Sequence, residues 1–337
     1  MHAARTTPHV SICIPVYQGE KFLAETIRSV LAQTYPNFEL VILDNASTDN
    51  TTHIAHSFHD PRIRVETNPT TLPQPHNWQR AIELCHAPLI KLLCADDLLH
   101  PRCLELQVPH LDNPAIALVA ARRNMIDENS RTVAPRRGLK GLLGQHSNVH
   151  VARTVLRTGA NPIGEPGGVL FRRNDYLATG GWNPTRRWAM DLDLWIRLLQ
   201  RGDLYGQPET LASFRLGAHS LSADNDAHIY HDQNTITNEI AATPELHIRT
   251  IDRAAAHIGA PLSRLRRRLL FTLSAITSRH NQPTKHNDLQ DSRTPHTSLT
   301  GHDTMAVVTE LPTSTRPHTV GRPHSGHPEP RILGVAA

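Results

Sequence analysis

The chain has 337 residues, 39% of them hydrophobic and 20% charged, with a formal net charge of +4. That is the composition of a soluble globular protein with room for one large domain or two ordinary ones. The basicity is too small to argue nucleic-acid binding, though it suits an anionic ligand or an acidic membrane surface. No run reaches the roughly 18 apolar residues of a membrane span, and the opening MHAARTTPHV holds no apolar core. The expectation is therefore a cytoplasmic protein with at most peripheral contact at the inner face of a membrane. The four cysteines, Cys13, Cys85, Cys94 and Cys103, form no CxxC pair, so reduced thiols are expected rather than a disulfide framework or a structural zinc site.

Residues 10–17, VSICIPVY, form a short β-branched apolar run that reads as a buried strand. Phe22, Leu23, Ile27, Val30 and Leu31 then share one helical face, which TYPN ends. FELVILD (38–44) is a second strand, followed by the polar turn NASTDNT with its helix-starting residues. After a further helix, IRVE (63–66) is a third strand, 77–86 a helix and PLIKLL a fourth strand. A helix over 101–111 and the strand AIALVAA (115–121) continue the alternation. Strand, helix, strand, helix with short connections predicts an α/β fold with a mostly parallel sheet covered on both faces. Ligands bind such sheets at the carboxyl ends of the strands. That rim collects residues 15–17, 44–47 and the adjacent pair Asp96 and Asp97, where KLLCADDLLHP leaves its strand. Two carboxylates held together repel, more strongly when buried. Either a hard divalent cation offsets the repulsion, or both side chains face water in a solvated turn.

Beyond residue 122 the alternation fades, and RRNMIDENSRTVAPRRGLKGLLGQ reads as a basic, glycine-containing loop. Residues 151–158 predict a short helix, GEPGGVLFRR (164–173) a glycine-bearing loop into a strand, and MDLDLWIRLLQRG (190–202) an amphipathic helix. LASFRL (211–216) reads as a last strand. The expected organisation is a tail over 1–8, an α/β domain over 9–221, a helical extension over 222–279 and a Thr/Pro/His-rich segment over 280–337. That last segment has too little apolar periodicity to offset its ordering entropy.

The ordered run VSICIPVYQGEKFLAETIRSVLAQTYPNFELVILDNASTDNT, ADDLLHPRCLE, MDLDLWIRLLQRG and FRLGAHSLS resembles the family 2 glycosyltransferases, which have the GT-A fold. The resemblance covers roughly residues 9–222, is highly specific for the family and poorly specific for the sugar. It implies transfer of a sugar from a UDP-, GDP- or dTDP-linked donor to a hydroxyl of a glycan or lipid-linked acceptor, with inversion, in cell-surface glycan, glycolipid or polysaccharide synthesis. Tyr17, after Pro15 and Val16, matches the position that lines or stacks on the nucleobase. Asp44 matches the acid that hydrogen-bonds the base, and Glu20 belongs to the same donor-binding opening. Asp96 and Asp97 match the end of the metal-holding DxD region, for Mg²⁺ or Mn²⁺. Asp191 matches the catalytic base, whose alternative role is to cap the helix that begins there.

The chain departs from the family at three points. Cys94 stands where the first acid of D-x-D-D is usual, Met190 replaces the acid before Asp191, and the usual Arg-x-His is stretched to Arg215 and His219. His219 remains a candidate near the diphosphate or metal. Glu165 could meet the donor sugar or the acceptor, and Arg80 the diphosphate. Trp182 and Trp188 are either sugar platforms or packing residues. Arg122, Arg123, Arg136 and Arg137 could attract a phosphate-bearing acceptor. Two rival readings stay open: a nucleotidyltransferase, for which PVYQGEKF is a poor phosphate loop, and a non-catalytic nucleotide-sugar binder, which Cys94 and Met190 make plausible.

Overall fold

The computed structural model describes residues 7–216 and 226–280. His219 and the segment 281–337 lie outside the described residues. In chain order the elements are β1 (Val10–Val16), α1 (Leu23–Leu31), β2 (Phe38–Asp44), α2 (Thr51–His56), β3 (Ile63–Thr67), α3 (Gln74–Glu83), β4 (Leu89–Leu92), β5 (Leu98–Leu99) and α4 (Cys103–Gln107). They continue with β6 (Ile116–Ile126), β7 (Thr132–Arg137), β8 (Gly144–His146), α5 (Asn148–Thr158), β9 (Val169–Arg172), α6 (Arg173–Ala178), α7 (Met190–Leu198), β10 (Asp203–Arg215), α8 (Asp226–Ala242) and α9 (Thr250–His280).

The strands form one ten-stranded sheet in the order β3-β2-β1-β4-β9-β6-β10-β5, with β7 beside β6 and β8 beside β10. β3, β2, β1 and β4 are parallel, and so are β6 and β10; β9 runs antiparallel between the two blocks. The alternation of the pleat explains the continuous apolar runs. Ile12, Ile14, Leu40 and Ile42 face one core with Leu23, Ile27 and Val30 of α1. Cys13, Val41, Leu43, Ile90 and Leu92 face the other, with Ile82 of α3 and Leu194 and Trp195 of α7. Both faces are covered, so neither set could be polar. The strands β1, β2, β4, β6 and β10 all deliver their carboxyl ends to one rim, and the described helices include none long and apolar enough to cross a membrane.

The polar stretch after residue 122 is not a loop. β6 runs on to Ile126, the chain returns as β7, and β8 closes against β10. A small cluster of Met125, Ala134 and Leu216 buries one side of that hairpin while Arg136 and Arg137 face solvent, which is why the run reads as basic loop. β10 begins at Asp203 rather than 211, because register shifts between Gln207 and Ala212 absorb the turn-like Pro208 and Glu209. Helices α8 and α9 do not stand apart from the sheet domain. Ile236 and Ile240 of α8 pack with Val155 and Leu156 of α5 and Leu192 of α7. Asp252 at the start of α9 is fully buried against Arg157 of α5.

Candidate active site

A cleft of about 670 Å³ opens at the carboxyl ends of β1, β2 and β4. Its walls include Pro15, Val16 and the half-exposed ring of Tyr17 on one side. Asn45, Asn77 and Trp78 stand opposite, and Asp96 and Arg187 close the far end. Two non-glycine residues take left-handed backbone here, Gln18 (φ 53°) and Ala46 (φ 57°). Each such residue costs about 1–2 kcal/mol. The loops are laced together: Gln18 N–H donates to Ser47 Oγ at 3.0 Å, and its side-chain amide to Thr48 at 2.8 Å. Beneath them Asn45 binds both polar backbone atoms of Leu72, and Asn68 donates to Asn45 and Asn77 at 2.8 and 2.9 Å.

Asp44 lies under this cleft rather than in its wall. It is fully buried, and its two carboxylate oxygens accept from Ser47 N–H at 3.1 Å and Thr52 Oγ1 at 2.5 Å. Glu20 accepts from the backbone and side-chain amides of Asn50, so it laces the same two loops. Arg80 is exposed on α3 and lines neither this cleft nor the one beside Asp191; the expectation that it reaches the diphosphate is not met by its position. The cations that line the cleft are Lys21, which is ion-paired with Glu128, and Arg187, in the loop before α7, which no motif singles out.

The chain leaves β4 into the acid turn. Asp97 N–H donates to the Cys94 carbonyl at 3.1 Å, and Thr26 Oγ1 holds the Ala95 carbonyl at 2.9 Å. The central support is Arg215, the last residue of β10 and 1% exposed. Its backbone N–H donates to Asp97 Oδ1 (3.0 Å) and its guanidinium to the Asp96 carbonyl (2.8 Å), the Asp127 carbonyl (2.9 Å) and Glu25 (2.8 Å). From the other side, buried Lys91 donates to the carbonyls of Gly167 and Val169, both at 3.0 Å, and fixes the glycine turn beside Asp97. A side chain at Gly167 would meet Leu93 Cδ1 at 3.0 Å, so a larger residue fits this turn only if Leu93 shifts.

Across this turn lies a second cleft of about 480 Å³, lined by Asp191, Glu165, Asn161, Arg123 and Trp188. Asp191 is the second residue of α7, whose N-cap is Ala189, so it is not the capping residue. Asn161 Nδ2 donates to its Oδ2 at 2.9 Å, and the next backbone N–H, of Leu192, to its Oδ1 at 2.7 Å. Burial, and then the nearby charge of Glu165, push the Asp191 carboxyl up to about 6, against the bonds from Leu192 and Asn161 and the charge of Arg123. Glu165 itself is ion-paired with Arg123. Asp193, two residues on, pairs with Arg197 along the helix and is structural.

Cys94 Sγ and carboxylate oxygens of Asp96 and Asp97 lie within 4.8 Å of one another. Burial raises the pKa of all three groups, and the charge of Asp96 raises that of Asp97 further. The acids Asp191 and Glu165 also raise Cys94, so the two clefts share one negative field. The residues fit a hard divalent cation. Asp97 keeps Oδ2 beside the Gly167 turn, and Asp96 lines the donor-side cleft. The Cys94 thiol, held neutral, is a poor ligand for Mg²⁺ or Mn²⁺. Of the tryptophans, Trp182 is buried against Trp78, Tyr176 and Trp195 and is packing, not a platform. Trp188 lines the Asp191 cleft and stacks on His228 of α8. Arg123 and Arg137 also reach that cleft; Arg122 and Arg136 do not line it.

A model of the family described as Glycosyl transferase family 2 matches residues 11–177. Over 239 residues the chain is 28% identical to the putative glycosyltransferase EpsE of Bacillus subtilis, a match covering 66% of this chain and 81% of that one. Over 171 residues it is 31% identical to the UDP-Glc:alpha-D-GlcNAc-diphosphoundecaprenol beta-1,3-glucosyltransferase WfgD of Escherichia coli, covering 50% of this chain and 66% of the relative. Among solved structures, the mannosyltransferase PcManGT of Pyrobaculum calidifontis in complex with GDP-Man and Mn²⁺ superposes with a TM-score of 0.52 at 16% identity. That likeness covers 82% of this chain and 89% of the other, and speaks for the fold.

Proposed function

The chain belongs to glycosyl transferase family 2 and has the GT-A fold, and from that premise we propose that it is a metal-dependent, inverting hexosyltransferase. It uses a nucleoside-diphosphate sugar, with UDP, GDP or dTDP as carrier, and a glycan or lipid-linked hydroxyl as acceptor, in the building of cell-surface polysaccharide. The observation that carries the reading is the acid turn itself: Asp96 lines the first cleft, while Asp97 lies beside the glycine turn that follows Glu165, which lines the second cleft with Asp191. One substrate enters from each side, and the reacting atoms meet between them.

On the donor side, Tyr17 offers a ring face to the nucleobase, and Asn45, Asn68 and Asn77 brace the loops around it. Asp44 holds the turn that carries Asn45. Asp96 and Asp97 would hold Mg²⁺ or Mn²⁺, which supplies a counter-charge and Lewis acid for the departing diphosphate. Arg187 takes the role first expected of Arg80 and adds a permanent positive charge at the same end of the cleft. On the acceptor side, Asp191 takes the proton of the attacking hydroxyl. The new bond forms at the anomeric carbon as the bond to the diphosphate oxygen breaks on the opposite face, which gives inversion. Asn161 holds the Asp191 carboxylate in orientation, and the Arg123–Glu165 pair sets its field.

The test is nucleoside-diphosphate release from a panel of UDP-, GDP- and dTDP-sugars with wild type and Asp191→Asn. Release from one donor, lowered on the order of 10²–10⁴-fold in the variant while donor binding persists, supports the reading. A variant as active as wild type overturns the base assignment. A wild type that binds a donor and never turns it over, with any acceptor offered, favours the non-catalytic binder.

A further inference from the structure

Among the described residues, helix α9 carries four large aliphatic side chains that stay exposed: Ile251 (68% exposed), Ile258 (72%), Leu262 (41%) and Leu265 (55%). Their spacing of seven, four and three residues places them on a single stripe of a 3.6-residue helix. Leu262, the least exposed of the four, also borders the Asp191 cleft, while Ile251, Ile258 and Leu265 are left to solvent. A different side of α9 is committed to the body, where Gly259 lies against the Arg157 carbonyl, Ala260 against Gly159, and Asp252 is paired with Arg157 and Arg249.

The charge of the helix is one-sided in sign. It contains six arginines, Arg253, Arg264, Arg266, Arg267, Arg268 and Arg279, against the single acid Asp252, which is buried. The sequence past the stripe, RLRRRLLFTLSAI, keeps the same mixture of arginine and aliphatic residues. Apolar residues along one stripe with a strongly basic remainder are the composition of a helix that lies in a lipid–water interface. The described helices include none that would span a bilayer instead.

We infer that α9 docks the protein on an anionic lipid bilayer, with Ile251, Ile258 and Leu265 at the acyl boundary and the net positive charge of the helix drawing it to the phosphate headgroups. A second copy of the chain fits this face less well, because two arginine-rich helices would be brought together. The chain's own segment 281–337, rich in Thr, Pro, His and Ser, has few apolar residues to offer the stripe. The same helix lines the Asp191 cleft through Gly259, Ala260, Leu262 and Ser263. Docking therefore brings that cleft to the membrane surface; resting on the function proposed above, this is the side from which a lipid-linked acceptor would enter.

The test is co-sedimentation of the full chain with vesicles of phosphatidylcholine alone and of phosphatidylcholine mixed with phosphatidylglycerol. Binding is expected only to the anionic vesicles, and it should weaken as salt shortens the electrostatic range from about 10 Å at 0.1 M to about 3 Å at 1 M. The double variant Ile258→Glu/Leu265→Glu should lower the partition coefficient by about tenfold or more, with circular dichroism and nucleotide-sugar binding unchanged. Leu177→Glu, an exposed leucine on α6, should leave it as in wild type. No preference of wild type for anionic vesicles would overturn the inference. So would a double variant that sediments like wild type, or an equal loss in Leu177→Glu. Light scattering that shows the double variant splitting a dimer, with vesicle binding intact, would assign the stripe to self-association and overturn it as well. None of these outcomes depends on sugar transfer.

Discussion

In its proposed role as base Asp191 acts only when deprotonated, and burial pushes its carboxyl up to about 6. The rate should therefore fall as pH drops through about 6 and level off above it. A profile flat between pH 5 and 8 would contradict the assignment. Glu165→Gln removes the charge that raises Asp191 and frees Arg123, whose charge lowers it. Both changes act in one direction, so the midpoint should move to lower pH. An upward shift, read from kcat/KM against pH, would contradict the field described here. Arg187→Ala should raise the donor KM about tenfold, with a smaller effect on kcat, if the guanidinium meets the diphosphate in the ground state. Arg80→Ala, exposed on α3, should leave both constants near wild type. At Cys94, where the family commonly has an acid, the structure places a neutral thiol among carboxylates. The departure reduces crowding of negative charge and leaves Asp96 and Asp97 as the hard ligands. Met190 is buried in the core, so the lost neighbouring acid is replaced by packing while Asp191 keeps its bonds.

Among elements, the parallel block β1 to β4 was the most legible, because both faces are buried and each strand reads as an unbroken apolar run. The β6–β7 hairpin was hidden, because one of its faces carries arginines. β10 was half hidden by Pro208 and Glu209. The candidate site was legible where it sits at strand ends, in Tyr17, Asp96 and Asp97, and at the start of α7, in Asp191. It was not legible where distant segments meet. Arg215 supports the acid turn from 118 residues away along the chain, and Arg187 and Asn161 enter through loops with no periodicity. Arg215→Met should cost about 3–5 kcal/mol of unfolding free energy, because Glu25 and several carbonyls lose a buried partner. It should also abolish donor binding; denaturant melts and donor titration check the two effects together. α9 is held by Asp252. Burial pushes that carboxyl up, but the bonds from Arg249 and Arg157 outweigh it and hold it at about 2. A group lowered in this way stabilises fully above its unfolded value near 3.8, and the contribution is lost as pH falls toward 2. Asp252→Ala should loosen α9 by about 1–3 kcal/mol, seen as faster hydrogen exchange in 250–266 with β1 and β2 unchanged.

For the molecule as a whole, one sheet rim carries both clefts, which the proposed function gives to two substrates. Its parallel strands β1, β2 and β4 present the nucleotide cleft, and β6 and β10, beyond the antiparallel β9, carry the support for the acid turn and one wall of the second cleft. α8 and α9 complete that second wall with Tyr230, Gln233 and Ser263. The proposed acceptor side thus draws on the C-terminal third, where the family resemblance ends, while the proposed donor side lies within the matched region 11–177 except for Arg187. Sugar and acceptor identity are accordingly the least legible features of the sequence. Central to the proposed function is that Asp96 and Asp97 would hold the divalent cation that accompanies the donor diphosphate. The most direct measurement is calorimetric titration of UDP-, GDP- and dTDP-sugars into wild type and Asp96→Ala, each with Mn²⁺, with Mg²⁺ and with EDTA. The predicted result is binding of one donor that requires the metal and is lost in Asp96→Ala. Equal binding with metal and with EDTA, or binding that survives Asp96→Ala, would contradict the account.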